Sequence, residues 1–302
     1  MARLLLPPIL LVAGLLVVSS AGVAEAAWWS GWRWDCLFPG RGRGHGHGQG
    51  YRQSQSHSKV ASIVTEAMYN SFFLHKDDAA CPAHGFYNYT SFIEAAEMFP
   101  EFCADGDLAT RKREAAAFMA QISHETTGGW ATAPDGPFAW GLCFKEERNP
   151  PSDYCDKTNT EWPCVQNKSY HGRGPIQLSW NYNYGPAGKA LGFDGLRNPE
   201  VVAGDPVVAF KTALWFWMTP RAPKPSCHDV MAGHYQPSYA DLAANRTAGF
   251  GLTTNIINGG IECGPNGNVA PVNDRIGFFR RYCGMLGVDV GPNLDCADQK
   301  PY

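Results

Sequence analysis

The sequence predicts a mainly α-helical domain in which long loops, held together by cysteines, surround a cleft. Apolar residues recur at helical spacing in several segments after residue 59, and no regular run of alternating strands appears. The connecting segments are long and rich in Gly and Pro, above all residues 128–174, which carry closely spaced cysteines. Loops of this length inside a compact domain are usually functional, so the cleft is expected among them.

The N-terminal segments are predicted to lie outside that domain. In residues 1–26, Arg3 precedes an apolar run shorter than the roughly 20 residues of a membrane span, and small residues follow, which is typical of a signal peptide. Residues 27–58 hold a cluster of tryptophans and then Gly, Arg, His, Gln and Ser in simple alternation, which predicts a flexible linker. Its histidines could bind a transition metal adventitiously, although the composition favours a solvated spacer. The folded domain is assigned to residues 59–302.

Each predicted helix has a local signal. The early segments are Ala-rich or amphipathic, and in the third of them Ala115, Phe118 and Ile122 fall on one stripe. Asp205 followed by Pro206 is typical of an N-cap and a first helical position. The helix that they open has apolar residues on every side, so it should lie at the centre of the fold. The predicted helices are residues 60–68, 90–98 and 107–123, the helix that begins at Pro206, and residues 272–286.

Composition excludes several classes of partner. Charged residues make up 18 % of the chain and the formal net charge is −3, so we expect no nucleic acid and no membrane as partner. Aromatic residues, at 13 %, suit a groove that stacks on sugar faces, although most of them belong to a core. All ten cysteines follow the signal peptide and none forms a C-x-x-C pair, which argues against a zinc ribbon and favours disulfides in an exported protein. We expect a monomer without cofactor or metal.

The first candidate for chemistry is Glu125, in the motif SHETTGGW. It falls where the helix from Asp107 ends, at or just past its last turn. A carboxyl group there faces the negative end of the helix dipole, which disfavours ionisation and helps the group hold a proton for donation. The alternatives are a solvated surface glutamate or a zinc-protease helix, but position 128 is Gly128 where the latter needs a histidine.

Three further motifs follow along the chain. GLCFKEER carries Glu147, which could be a general base across a cleft or one member of a charged surface cluster. GRGPIQLSWNYNYG, residues 172–185, is dense in amide, hydroxyl and aromatic groups, which suits hydrogen bonds to hydroxyl and acetamido groups together with ring stacking. TNIINGGIEC, residues 254–263, is again rich in amides.

Taken together, HETTGGW, WGLCFKEE, GRGPIQLSWNYNYG and TNIINGGIEC resemble the motifs of the plant family 19 chitinases, in this order and at similar spacing. The resemblance covers residues 59–302, which it makes a family 19 catalytic domain. It implies a lysozyme-like helical fold with a small β-hairpin and a long substrate cleft. It also implies a class II-like chain, because the cysteine-rich N-terminal chitin-binding module of many relatives is missing here.

The same resemblance assigns roles to residues. It makes Glu125 the proton donor and Glu147 the general base, with Ser179 helping to place the attacking water. Glu262 and Arg275 resemble the charged partners that orient and tune the acid. The implied sugar-binding residues are Gln177, Tyr182, Asn183 and Asn258, with Trp162 on the cleft wall.

The resemblance also implies a disulfide framework. Cys283 looks unpaired and buried in its helix, whereas the states of Cys36, Cys103 and Cys227 stay open. The chain ends soon after the last cysteine, which favours export to the extracellular space over a vacuole. The implied pairs are Cys81 with Cys143, Cys155 with Cys164, and Cys263 with Cys296.

The function implied is that of a secreted endochitinase in defence against fungi, acting with inversion. Inverting glycosidases hold their two carboxyl groups roughly 6.5–9.5 Å apart, whereas retaining enzymes hold them at about 5 Å. Two rivals remain: a chitin-binding protein that has lost catalysis, and an enzyme that cleaves bacterial wall polymer, which shares the 2-acetamido sugar.

Overall fold

The computed structural model describes residues 58–302, so the predicted signal peptide, the Trp cluster with Cys36, and all but the last residue of the linker lie outside the described residues. Within that part, no helix is both long and apolar enough to cross a membrane. A 3-10 helix at Lys59–Ser62 comes first. The α-helices that follow are α1 (Glu66–Phe72), α2 (Tyr89–Ala96), α3 (Leu108–Thr127), α4 (Asn181–Leu191), α5 (Val201–Gly204), α6 (Pro206–Met218), α7 (Cys227–Ala232), α8 (Tyr239–Ala243), α9 (Phe250–Glu262) and α10 (Val269–Leu286).

Helix α6 lies in the core, as its sequence predicts. Asp205 caps it by accepting hydrogen bonds from the amides of the second and third helical residues, at 2.8 and 3.1 Å, and Pro206 occupies its first position. Trp217, near its end, is fully buried and packs edge-on against Phe118 of α3, with ring centroids 5.5 Å apart. Helices α2, α4 and α5 pack on α6, and the most extensive helix contact in the domain joins α3 to α10.

Helix α3 is longer than the sequence predicts, and the difference places the acid candidate. The helix continues past Ser123 to Thr127 and ends at Gly128, whose φ of 68° terminates it. The hydroxyls of Ser123 and Thr126 donate to carbonyls one turn earlier, at 2.8 and 2.6 Å. Both side chains therefore bond to backbone within the helix and do not end it. Glu125 therefore lies within the last turn.

The other predicted helices are found with shifted ends. The segment 60–68 is divided into the 3-10 helix and α1, because Thr65 accepts a hydrogen bond from the amide of Met68 at 3.3 Å and caps a new helix. Helices α2 and α10 match the predicted segments to within a few residues.

Helices α4 and α9 arise in the motif segments, where no helix is predicted. Their glycines permit contacts that a side chain would block. A Cβ on Gly188 of α4 would lie 2.5 Å from the amide nitrogen of Gly195, and a Cβ on Gly251 of α9 would lie 1.9 Å from the carbonyl oxygen of Asp295. Close backbone packing, rather than intrinsic helix propensity, thus accounts for both helices.

The expected small β-hairpin is reduced to antiparallel bridges around Arg173. The amides and carbonyls of Arg173 and Leu178 exchange two hydrogen bonds, at 3.2 and 2.9 Å, and Arg173 also bridges to Glu146. Pro175 has no amide hydrogen and Gly174 turns the chain at a φ of 73°, so the ladder does not extend. Across residues 58–302 strand structure is confined to isolated bridges.

The three expected disulfides are present, and each holds a loop. They join Cys81 to Cys143, Cys155 to Cys164, and Cys263 to Cys296, with Cα separations of 4.5, 6.0 and 5.0 Å. Among the described residues, three buried cysteines have no disulfide partner. Burial raises the pKa of each of these thiols, that of Cys283 to about 12, so none of them is activated as a nucleophile. The free cysteines are Cys103, Cys227 and Cys283.

Two helical glycines give opposite predictions for stability. Gly251→Ala should destabilise the fold by about 2 kcal/mol or more, because its Cβ would overlap backbone that cannot move aside. Gly284→Ala, in α10, meets nothing within 4 Å and should instead stabilise the fold by about 0.5–1 kcal/mol. Urea unfolding of both variants measures the difference, and equal midpoints would contradict the close packing of α9.

Candidate active site

Glu125 projects from the last turn of α3 and is held by one strong partner. The Nη2 group of Arg275, on α10, donates to its Oε1 at 2.5 Å. The Glu125 side chain is 12 % exposed, whereas that of Arg275 is 1 % exposed, so the carboxyl group alone can be reached from solvent.

Arg275 is the centre of a buried polar cluster, called here the acid cluster. Its Nε and Nη2 donate to the two carboxylate oxygens of Glu262 at 2.8 and 2.7 Å, and its Nη1 donates to Oε1 of Gln121 at 2.7 Å. Burial on its own would lower the pKa of Arg275, but the carboxylates of Glu125 and Glu262 raise it above its usual range. Burial would raise the pKa of Glu262, yet the Arg275 charge lowers it. Both groups of this pair are therefore charged at neutral pH.

Asn258 completes the acid cluster. It interrupts the helical geometry of α9, with φ −141° and ψ 31°, and its Nδ2 donates to Oε1 of Glu262 at 2.7 Å. Gln121 in turn donates to the hydroxyls of Thr253 and Thr254 at 2.9 and 3.1 Å. Side chains of α3, α9 and α10 are thus joined in one network.

Next to Glu125, His124 pairs with Asp274. The His124 Nδ1 lies 2.7 Å from Oδ2 of Asp274, which precedes Arg275 on α10, and both side chains are largely buried. Gly129 packs on the same carboxylate, since a Cβ there would lie 3.3 Å from Oδ1 of Asp274. A second polar pair thus ties the end of α3 to α10.

Glu147 lies in the loop after α3 and is held by a phenol and by backbone. Tyr154, which is 6 % exposed, donates its hydroxyl to Oε1 at 2.8 Å, and the amide of Gly172 donates to Oε2 at 3.3 Å. The amide of Glu147 donates back to the carbonyl of Gly172 at 2.8 Å. Burial first, and then the bond to Glu147, raise the pKa of Tyr154 well above its usual value, so it stays a donor.

The side chains of Ser179 and Gln177 both pack against Gly172. A Cβ on Gly172 would lie 2.8 Å from Oε1 of Gln177 and 3.3 Å from Oγ of Ser179. Ser179 donates its hydroxyl to the Gln177 carbonyl at 2.9 Å. The absence of a side chain at Gly172 therefore lets Glu147, Ser179 and Gln177 gather in one place, called here the base cluster.

Tyr182 and Asn183 extend the base cluster along α4. The Tyr182 ring stacks on Trp180, with centroids 5.8 Å apart, and burial raises the pKa of its hydroxyl to about 12. Asn183 donates to the Ser179 carbonyl at 2.8 Å. Arg221 bonds to Oδ1 of Asn183 and donates to the Tyr182 carbonyl at 3.1 Å, which fixes the first turn of the helix.

Trp162 lies against α4, in the loop that the Cys155–Cys164 disulfide closes. Gly185 makes room for its ring, because a Cβ there would lie 2.3 Å from the indole. Asn181, which is fully buried, donates to the Trp162 carbonyl at 2.7 Å. The indole is partly exposed and lies under the ammonium of Lys189, 6.0 Å away.

The residues singled out by sequence thus fall into two groups joined by residues 142–147. Thr126, next to the acid, accepts a hydrogen bond from the Leu142 amide at 2.9 Å through its hydroxyl and another from the Phe144 amide at 2.9 Å through its carbonyl. Three residues after Phe144, Glu147 exchanges hydrogen bonds with Gly172. The acid cluster holds Glu125, Glu262, Arg275 and Asn258, and the base cluster with its α4 extension holds Glu147, Ser179, Gln177, Tyr182, Asn183 and Trp162.

Sequence reasoning missed several supporting residues. Tyr154 and Arg221 touch candidate residues from outside the four motifs, so no local signal marks them. Gln121 is a polar residue on the apolar side of a helix, and Asp274 lies one position before Arg275, so these two could have been found. The missed contacts are made by Gln121, His124, Tyr154, Arg221 and Asp274.

Comparison with known proteins gives one consistent result. A family model of glycoside hydrolase family 19, described as chitinase class I, matches residues 63–296. Chitinase 10 of Oryza sativa subsp. japonica is 65 % identical over 296 residues, which are 98 % of this chain and 96 % of that protein. An endochitinase of Persea americana is 60 % identical over 243 residues, which are 80 % of this chain and 74 % of that protein.

Solved structures agree. A family 19, class IV chitinase from Zea mays is 39 % identical, with a TM-score of 0.62, and the match covers 79 % of this chain and 100 % of that one. Chitinase C from Streptomyces griseus HUT6037 is 38 % identical, with a TM-score of 0.62, over 78 % of this chain and 97 % of that one. The mainly helical fold expected from the sequence is therefore confirmed.

The acid cluster predicts how stability depends on pH. Glu262→Gln should cost about 2 kcal/mol or more at neutral pH, because it removes a charge that faces a buried guanidinium. The folded-state pKa of Glu262 is lowered. Its contribution is therefore complete above the unfolded value of about 4.3 and is lost as the pH falls through the folded value.

Urea unfolding of wild type and Glu262→Gln at a series of pH values measures this. The stability gap should be constant from about pH 8 to 6 and should narrow below about pH 4. Glu97→Gln, at an exposed glutamate, is the control and should show no such gap. A gap that persists unchanged to about pH 2.5 would contradict the ionic role of Glu262.

Proposed function

Because the chain belongs to glycoside hydrolase family 19 and is a glycoside hydrolase of the chitinase type, we propose that it cleaves chitin within the polymer, at the β-1,4 bonds between N-acetylglucosamine units, with inversion of the anomeric carbon. The names of the Persea americana relative and of others like it support internal cleavage. No cofactor enters the reaction.

One observation carries the proposal: two carboxyl groups on different segments are each partly buried and each held by fixed partners. Glu125 is oriented by Arg275. Glu147 is oriented by Tyr154 and by the Gly172 backbone. A solvated surface glutamate would be neither partly buried nor held by fixed partners. The interpretation of Glu125 or Glu147 as such a residue therefore loses support.

In the proposed reaction Glu125 is the general acid. It protonates the glycosidic oxygen as the bond to the anomeric carbon breaks, and its own carboxyl becomes anionic. Arg275 is already placed to stabilise that anion. The location of Glu125 in the last turn of α3 opposes this stabilisation, because the partial negative charge at the carbonyl end of a helix disfavours a carboxylate anion.

Glu147 is the proposed general base. It takes a proton from a water that attacks the anomeric carbon on the face opposite the leaving group, which inverts the configuration. Ser179 donates its hydroxyl to the Gln177 carbonyl, so its oxygen is free to accept a hydrogen bond from that water. The side chains of Glu147 and Ser179 share Gly172 as a neighbour, which supports their acting on the same water molecule.

The remaining site residues suit an N-acetylated sugar chain. Gln177, Asn183 and Asn258 offer amides for hydroxyl and acetamido groups, and Tyr182 and Trp162 offer partly exposed rings for sugar faces. We further propose an exported monomer that acts in defence against fungi. The signal-peptide pattern and the disulfide framework support export.

Two neighbouring glutamates test the base assignment. Glu147→Gln should lower turnover of chitin oligomers at least ~10²-fold, which is the usual scale of general base catalysis. Glu146→Gln is the matched control, because Glu146 is exposed and its nearest basic side chains, His171 and Arg173, lie 3.6 and 3.7 Å away. Comparable loss in both variants, or in neither, would contradict the assignment.

Glu125→Gln tests the acid in the same assay. It too should lose at least ~10²-fold in turnover while its thermal unfolding stays cooperative. Fresh products of the wild-type enzyme, followed by NMR, should be α-anomers, since a β-linkage is inverted. Initial β-anomers would overturn the inverting mechanism, and release of fragments from peptidoglycan but not from chitin oligomers would overturn the substrate.

A further inference from the structure

A cluster of metal-ligating groups lies outside the candidate active site. Asp105 is in the turn before α3, His228 is in α7, and His234 follows directly after α7. One ligand atom from each lies within 4.8 Å of the other two. The Nε2 of His228 is 3.3 Å from Oδ2 of Asp105, and the Nε2 of His234 is 3.9 Å from the same oxygen.

The ring of His228 is fixed from behind by a buried carboxylate. Its Nδ1 lies 2.7 Å from Oε1 of Glu114, whose side chain is 1 % exposed. Glu114 is itself held by Trp217 Nε1 at 3.1 Å and by the Cys103 amide at 3.0 Å. A carboxylate can only accept, so Nδ1 of His228 carries a proton. Nε2 is then the ring nitrogen left to bind a metal, and it faces Asp105.

His234 is placed by the end of α7. Gly233 ends the helix at a φ of 84°, and the amide of His234 donates to the Asp229 carbonyl at 2.8 Å. The His234 Nδ1 lies 3.8 Å from Oδ1 of Asp229, so this ring also has a carboxylate behind it. The side chain is half exposed, and the rings of His228 and His234 stand at 77° with centroids 5.7 Å apart.

These distances suit a small tetrahedral ion. Zinc bonds of about 2.0–2.2 Å to nitrogen and oxygen place neighbouring ligand atoms about 3.3–3.5 Å apart. The observed 3.3 and 3.9 Å lie near that range, and a small rotation of the exposed His234 ring closes the second distance. Two imidazoles and one carboxylate form a donor set typical of zinc, and His228 also has the hydrogen bond to a second carboxylate that zinc-bound histidines commonly make.

We propose that Asp105, His228 and His234 form a zinc site, with water completing the tetrahedron on the exposed side. Carboxylates of Asp105, Glu114 and Asp229 surround it, so a dication is favoured there. The proposal differs from the sequence-based expectation of no metal. That expectation rested on cysteine spacing, and these ligands are brought together only by the fold.

The site is separate from the proposed chemistry. Glu114 precedes Glu125 by three helical turns, which is about 16 Å along α3. A zinc ion here would therefore link the turn before α3 to α7, as a stabilising crosslink, and would leave the reacting groups untouched.

Isothermal titration calorimetry with zinc chloride tests the proposal on the full chain after treatment with EDTA and dialysis. The linker holds His45, His47 and His57, so the protein is compared with a variant in which all three are Asn. One zinc ion should bind each chain of the linker variant. Zinc at 100 times its Kd should also raise Tm by about 4 °C or more. Binding that disappears with the linker histidines would overturn the proposal.

His234→Asn, in the same linker variant, is the decisive change, because its exposed side chain can be replaced without loss of the fold. Affinity for zinc should fall at least ~10-fold, and at the same zinc concentration the rise in Tm should shrink to about half or less. His84→Asn, at an exposed histidine outside the cluster, is the control and should bind as before. Equal affinity in the His234 and His84 variants would refute the site, as would no binding to any of them. In either case His228 would bind the carboxylates of Glu114 and Asp105 directly, without a metal.

Discussion

A buried guanidinium decides how the helices around Glu125 are arranged. Arg275 is 1 % exposed and keeps its charge under all ordinary conditions, so its donors must find acceptors inside the protein. It finds them on Gln121 and Glu125 of α3 and on Glu262 at the end of α9. Because the guanidinium is planar, these acceptors must lie in one plane around α10. The three helices therefore cannot shift against one another without leaving a buried charge unpaired, which costs several kcal/mol.

The two candidate carboxyl groups are positioned by different means. Glu125 stands on a long helix and is oriented by charge. Glu147 stands in a loop, where no helix restrains it, and is oriented by a phenol and by two hydrogen bonds with the Gly172 backbone. The Cys81–Cys143 disulfide joins residues 62 positions apart and anchors that loop just before Glu147, and Thr126 binds the backbone of Leu142 to the end of α3. A segment without regular secondary structure thus acquires a fixed position through links on either side of Glu147.

Much of this could be predicted from sequence, and the failures that bear on the site come from contacts between distant parts of the chain. The N-cap at Asp205 and the all-round apolar pattern of α6 are local signals. They were sufficient to predict where this helix begins and that it lies in the core. The motif resemblance supplied the disulfides and the candidate residues. Helices α4 and α9 were missed because their glycines lower helix propensity, while the benefit of close packing on distant backbone is invisible in the segment itself. Tyr154 and the residues of the proposed zinc site were missed for the same reason, since only the fold brings them to their partners.

The guanidinium of Arg275 is shared by two carboxylates. This sharing explains how the acid cluster can stabilise the fold and also support Glu125 as the proposed acid. Glu262 takes the Nε donor and one hydrogen of Nη2, in a bidentate pair, and Glu125 takes the other hydrogen of Nη2. Two of the four hydrogen bonds of Arg275 are thereby made to Glu262, whose side chain is only 2 % exposed. Glu125 is held by one hydrogen bond from Arg275, and its side chain keeps 12 % of its surface exposed to solvent. When it gives up its proton in the proposed reaction, the donor that stabilises the new anion is already in place, so no group has to move. A lysine could not hold both carboxylates in this geometry, because its point charge lacks the planar fork.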